Sequence, residues 1–220
     1  MSATRLWVIG TVSDEELRQL LGAAAEAGPV AAAPGPAAPG VAAPGVAEEL
    51  AWWRGVAGES LFGEPAVGGG SAGEDAFRLC AFFDSCRDGS DAVEDLREAV
   101  VGRFRPEEKE GLFSAAARKA NPFWALAYAL GPDATLQLPG WFGDFLLDSR
   151  QVRACLPDAE EALTLTGARR REVVERIHAW MTGLGDGPDH DADALLDGPL
   201  RVLRHAARTG RGAAGHTLWY

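Results

Sequence analysis

The side chains able to do chemistry gather in four places along the chain. In Trp141-Phe142-Gly143-Asp144-Phe145 one carboxylate stands among large aromatic rings, directly after a Pro-Gly turn. Burial beside indole and phenyl groups disfavours a charged carboxylate, so Asp144 is placed to act as a general acid. Trp141, Phe142 and Phe145 would then wall the ligand pocket. The competing reading is that Asp144 caps a turn while the rings fill a core, which large apolar side chains do by default. Cys86 lies in Asp84-Ser85-Cys86-Arg87-Asp88. Arg87 favours its thiolate, and with it nucleophilic catalysis, whereas Asp84 and Asp88 oppose it. Cys80 and Cys155 fall on apolar stripes and read as small core residues.

Arg169-Arg170-Arg171 forms a basic cluster in the first turn of its helix, where positive charge opposes the macrodipole. A local rule broken in this way marks a surface for a small anionic ligand such as a phosphate or carboxylate. The alternative is pairing with Asp158, Glu160 and Glu161 on the preceding element. The stretch from Asp186 to Asp193 is the densest acidic cluster. Asp189, His190 and Asp191 offer oxygen and imidazole ligands to a divalent cation. The EF-hand spacing and a closing acid are missing, so the stretch reads as an inter-helix loop whose acids cap a helix near Ala192. No metal and no cofactor are expected. The chain also lacks a GxSxG elbow, an HExxH helix, a P-loop and a dinucleotide fingerprint.

The elements that must position these groups follow from capping and periodicity. Arg5 to Val12 is apolar and β-branched, which predicts a strand. Ser13 and Glu16 then form a capping box for a helix whose stripe is Leu17, Leu20, Leu21 and Ala24. Gly28 to Val46 is a Pro/Ala/Gly tract with almost nothing large to bury. Glu48 to Ala57 is a short helix carrying Trp52 and Trp53, and Gly63 to Gly73 is loose again. Phe77 to Phe83 is a helix or a buried strand. Asp91 and Glu94 cap a helix with Leu96 and Val100 inward, and Pro106 opens another. Asn121-Pro122 caps a buried central helix from Phe123 to Leu130. Thr135 to Leu138 reads as a short strand. Ser149 and Thr166 cap the next two helices, Asp197-Gly198-Pro199 opens the last, and His216 to Tyr220 is a terminal strand. The expected fold is α+β, a mostly helical body with a small sheet formed by the N- and C-terminal strands. Residues 1–27 and 74–220 make one domain, and 28–73 are a flexible insert.

Several of these phrases resemble the uncharacterised YfbM-like bacterial family. They are Ser13-Asp14-Glu15-Glu16-Leu17 after the first strand, the aromatic helix near Phe77 to Phe83, and Leu146-Leu147-Asp148-Ser149-Arg150-Gln151-Val152 opening a helix. A leucine-rich helix from Leu195 to Ala207 and the hydrophobic end His216 to Tyr220 complete the likeness. The Pro/Ala tract and a longer middle depart from that pattern. The resemblance implies this fold and carries no activity.

Composition narrows the function classes. Among 220 residues, 32 acidic against 21 basic side chains give a net charge of −11. That excess speaks against nucleic acid, whose affinity rests on neutralised phosphates, and against an anionic membrane surface. Three cysteines without a CxxC give no disulfide framework. No secretory signal is legible near Met1, and a cytoplasmic setting is expected. Two lysines beside abundant Ala and Gly match high-GC bacterial, actinomycete-like coding. The expectation for function is a non-catalytic binding or interaction protein, in one form an immunity-type protein steered onto a basic protein partner. The alternative is a small enzyme of specialised metabolism using the aromatic pocket around Trp141 and Asp144. Exposed terminal strands would also allow a homodimer.

Overall fold

Strand β1 (Arg5–Val12) has a strand on each edge and is apolar on both faces because helices cover both sides of the sheet. It pairs antiparallel with β2 (Leu112–Ala117), Arg5 facing Ala117 and Gly10 facing Leu112. On its other edge β4 (Gly212–Trp219) runs antiparallel, Arg5 facing Trp219 and Val12 facing Gly212. The short β3 (Phe145–Leu147) closes the order β2-β1-β4-β3 through Phe145–Gly215 and Leu147–Ala213. The two chain ends are therefore the central strands. Both edges of β1 are thus paired, and β3 takes part of the second edge of β4.

The computed structural model describes residues 4–27, 45–62, 73–86, 91–140, 143–187 and 190–219. Most of the Pro/Ala/Gly tract, the glycine stretch after residue 62, Arg87, Asp88, Trp141, Phe142, Asp189 and Tyr220 lie outside them. Among the described residues nine helices accompany the sheet, an α+β architecture. They are α1 (Asp14–Ala27), α2 (Val46–Val56), α3 (Glu74–Ser85), α4 (Asp91–Val101), α5 (Pro122–Leu130), α6 (Pro132–Thr135), α7 (Ser149–Leu163), α8 (Gly167–Gly183) and α9 (Ala192–Thr209). None is long and apolar enough to cross a membrane.

Each face of the sheet has its own helices. Trp7, Ile9, Phe113, Phe145 and Ala213 join the main core with α5, α7, α8 and α9. Val12, Leu146 and Ala214 join a smaller core with Leu17 and Leu20 of α1 and Leu96 and Val100 of α4. The capping box forms as its residues predict. Ser13 Oγ accepts from Glu16 N at 3.1 Å, and the Glu16 carboxylate accepts from Ser13 N at 2.7 Å. Helix α5 is buried along its whole length, with Asn121 Oδ1 accepting from Phe123 N and Trp124 N.

Several elements differ from expectation, each for a physical reason. After Pro106 the chain turns through a single 3-10 turn (Lys109–Gly111) into β2, whose pairing with β1 outweighs a weak strand composition. Thr135 ends α6 instead of starting a strand, its Oγ1 donating back to Gly131 O at 2.7 Å. Asp148, not Ser149, caps α7 in a reciprocal box with Gln151. Ser149 instead donates its N–H and Oγ–H to the Asp14 carboxylate of α1. Residues 45–62 of the supposed flexible insert are packed. Trp53 is fully buried against Phe82 and Phe83 of α3, and Phe62 lies edge-on to Tyr128 and Trp180.

Helix α9 departs furthest. It runs unbroken through Gly198 and Pro199, where a helix start was expected. A Cβ on Gly198 would stand 2.1 Å from the Phe113 ring, so the missing side chain is what lets β2 lie against the helix. Gly198→Ala should therefore displace Phe113 and cost about 1–2 kcal/mol by overpacking, read from a chemical denaturation midpoint.

Candidate functional site

Asp144 is a staple and not a general acid. Its Oδ1 accepts from Thr217 N at 2.8 Å and from Thr217 Oγ1 at 3.2 Å, and its Oδ2 accepts from Arg97 Nη2 at 2.8 Å. Arg97 is almost wholly buried and also donates to Glu94 at 2.6 Å, so the group ties α4 to β4. A guanidinium and a backbone N–H both reward the anion, the opposite of what proton donation requires. Phe145 is buried in β3 beside an apolar void of about 10 Å3, room for about one water and no ligand. Trp141 and Phe142 lie outside the described residues.

Cys86 closes α3, and burial pushes its thiol up to about 11. The same desolvation raises Cys80 and Cys155 to about 11. A thiol that holds its proton this strongly is a poor nucleophile near neutral pH, which removes the reason for placing Cys86 in catalysis. The shifts set a pH dependence with a definite sign. The unfolded thiols ionise near 9.0 and the folded ones near 11, so their stabilising share is whole below about pH 9 and is lost as pH rises through 11. A variant with Cys80, Cys86 and Cys155 all replaced by alanine should lose less stability than the parent between pH 9 and 11. Equal losses across that interval would refute the assignment.

The three arginines of α8 part company. Arg169 donates to Leu130 O at 3.1 Å, so it caps the end of α5, and pairs with Glu172 at 2.9 Å. Arg170 forks onto Asp197 and Asp193 of α9 at 2.6 to 3.0 Å, and these carboxylates raise its pKa. Arg171 is exposed and makes no hydrogen bond or ion pair among the described residues. The expected partners Asp158, Glu160 and Glu161 are not used; Glu160 pairs with Arg204 of α9 at 2.7 Å. Arg176, one turn further along α8, donates to Ala57 O and Tyr128 O and lies over the Tyr128 ring. Arg54, Arg169 and Arg176 therefore border a cleft of about 320 Å3 with much of their donor capacity spent on carbonyls and acids. Because Arg176 joins α2 to the end of α5, Arg176→Ala should destabilise the fold by about 1–3 kcal/mol, visible as a lower denaturation midpoint.

The acidic stretch caps helices. Asp191 Oδ1 accepts from Ala194 N at 2.9 Å and so starts α9. His190 Nδ1 lies 3.0 Å from Gly187 O, and its ring packs 4.7 Å from that of His178. No group of three His, Cys, Asp or Glu side chains suited to a metal forms among the described residues.

Among the described residues, one arrangement suited to a ligand was missed by sequence reasoning. An open cleft of about 720 Å3 runs along α9 against the 3-10 turn and β2, within the usual volume of small-molecule sites. Phe113, Leu200 and Ala194 give it an apolar floor, and Gly198 lets the Phe113 ring pack close against α9. Arg201, Arg204, His205 and Arg208 line it from one face of α9. Arg201 donates to Lys109 O at 2.6 Å and Leu112 O at 3.0 Å, which fixes the wall of the cleft. Arg208 Nη2 lies 3.1 Å from His205 Nδ1. The sequence signal was present: the four residues recur at i, i+3, i+4 and i+7. It was hidden because cations near a helix C-terminus are the ordinary complement of its dipole.

No family model, curated protein or solved structure matches the chain. The fold and cleft define an α+β protein with a cationic concavity in an acidic body, and the functional reading rests on that geometry.

Proposed function

We propose that this chain is a non-catalytic binding protein that holds a small organic anion in the α9 cleft. The observation that carries the reading is the charge of the concavity. Arg201, Arg204 and Arg208 outnumber Glu110 and Asp197 along one groove with an apolar floor, in a chain of net charge −11. The acidic body repels polyanions at long range, while fixed guanidinium groups attract a small anion inside about one Debye length, ~8–10 Å. The two side chains considered for catalysis serve other ends, Asp144 as a staple and Cys86 as a protonated thiol. A cation-lined concavity also suits an anionic ligand better than a basic protein partner.

Native mass spectrometry of the protein purified in ammonium acetate, beside a denatured control, tests this reading. A retained organic acid or phosphate ester that is lost from Arg208→Ala is the expected result. A bare chain, or a retained ligand unaffected by Arg208→Ala, would overturn it.

A further inference from the structure

We infer that the α9 cleft selects a monocarboxylate with an apolar body, not a phosphate. The inference rests on reading the cleft as a binding site and concerns which anion it takes. Most of the charge around the groove is already paired. Arg204 is held by Glu160 at 2.7 Å, and Asp197, on the lining, is held by Arg170 through two bonds of 2.8 and 3.0 Å. Arg201 spends both terminal nitrogens on backbone carbonyls. Arg208 meets only the His205 ring nitrogen. Arg170 is shared between Asp197 and Asp193, so with these partners counted the charges of Arg170, Arg201, Arg204 and Arg208 balance those of Glu110, Glu160, Asp193 and Asp197, and Arg208 is the lining guanidinium that meets neither a carboxylate nor a backbone carbonyl.

That one guanidinium can hold a monoanion, and the charge-balanced surroundings leave a dianion undercompensated. Arg208 spends one Nη2 hydrogen on His205, so its other Nη2 hydrogen, paired with Nη1 or Nε, remains to grip a carboxylate with a fork, the geometry guanidinium groups favour. Below that grip the floor of Phe113, Leu200 and Ala194 offers apolar contact and no polar group other than backbone. The ligand class that uses every feature is an aryl- or alkyl-substituted carboxylic acid, its head on Arg208 and its body along Phe113.

Isothermal titration calorimetry on the full chain tests this with phenylacetate, 4-phenylbutyrate and decanoate, beside phenylacetamide and inorganic phosphate. At least one of the acids should bind, while the amide and phosphate give no heat at the same concentration. Arg208→Ala should weaken acid binding at least tenfold. Arg208→Lys, which keeps the charge but loses the fork, should fall between the two. Arg171→Ala, exposed and remote from the cleft, should bind as the parent does. Phosphate or the amide binding as well as the acids, in a manner lost with Arg208→Ala, would overturn the choice of ligand and leave the cleft reading standing. No binding by any probe, or binding that Arg208→Ala leaves unchanged, would overturn both.

Discussion

Replacing Asp144 with alanine should lower the stability of the fold by about 3–5 kcal/mol, as breaking one side of a buried ion pair does. The carboxylate takes three hydrogen bonds, and its partner Arg97 has a side chain only 5% exposed. Truncation strips the guanidinium of this acceptor inside the smaller core, where water cannot replace it, and leaves Glu94 at its more open end. Urea denaturation should show the loss as a lower midpoint with an unchanged slope. Arg97→Met alone should be costly too, because it leaves a carboxylate short of its cation. The double variant Arg97→Met with Asp144→Leu should recover part of the loss, since both charges are then gone together. Strict additivity of the two single losses would show that the pair does not act as a unit. Because α4 and α9 pack on opposite faces of the sheet, the folded fraction of Asp144→Ala should keep its α9 cleft.

What the sequence made legible was local. The Ser13–Glu16 box, the Asn121 cap before Pro122 and the apolar, β-branched run of β1 are settled by residues within a few positions of one another, and each forms as read. The elements that escaped are decided by distant partners. Leu-Phe-Ser-Ala-Ala-Ala has little strand propensity of its own and becomes β2 because β1 supplies a ladder. Gly198-Pro199 looks like a helix boundary until Phe113 takes the space that glycine leaves. The same long reach hid the site. Arg170 finds its acids 23 and 27 residues further on, and the α9 groove has a second wall only because β2 folds back against that helix. The expectation of a general acid at Asp144 also turns on a distant residue. A carboxylate among aromatic residues is a general acid only if no cation reaches it, and Arg97 reaches it from 47 residues away.

Asp186→Ala is expected to cost on the order of 3 kcal/mol, since three hydrogen bonds to one charged acceptor disappear together. The carboxylate closes a nest of consecutive backbone N–H groups: Arg118 N at 2.8 Å, Lys119 N at 3.1 Å and Ala120 N at 2.5 Å. These amides lie between the end of β2 and the Asn121 cap of the buried α5. One side chain from the turn after α8 thus holds the start of the central helix. The turn itself depends on Gly185, which adopts φ +86° and where a Cβ would lie 2.9 Å from Lys119 Nζ. Asp186→Asn should recover only part of the loss, because one of its two terminal atoms becomes a donor facing donors. The emptied nest also gives a signature that a mere packing defect would not. Millimolar inorganic phosphate should raise the denaturation midpoint of Asp186→Ala more than that of the parent, by occupying the three amides the carboxylate leaves. An equal phosphate response in both proteins would mean that the amides have found other acceptors, and that the turn after α8 is held by something besides this carboxylate.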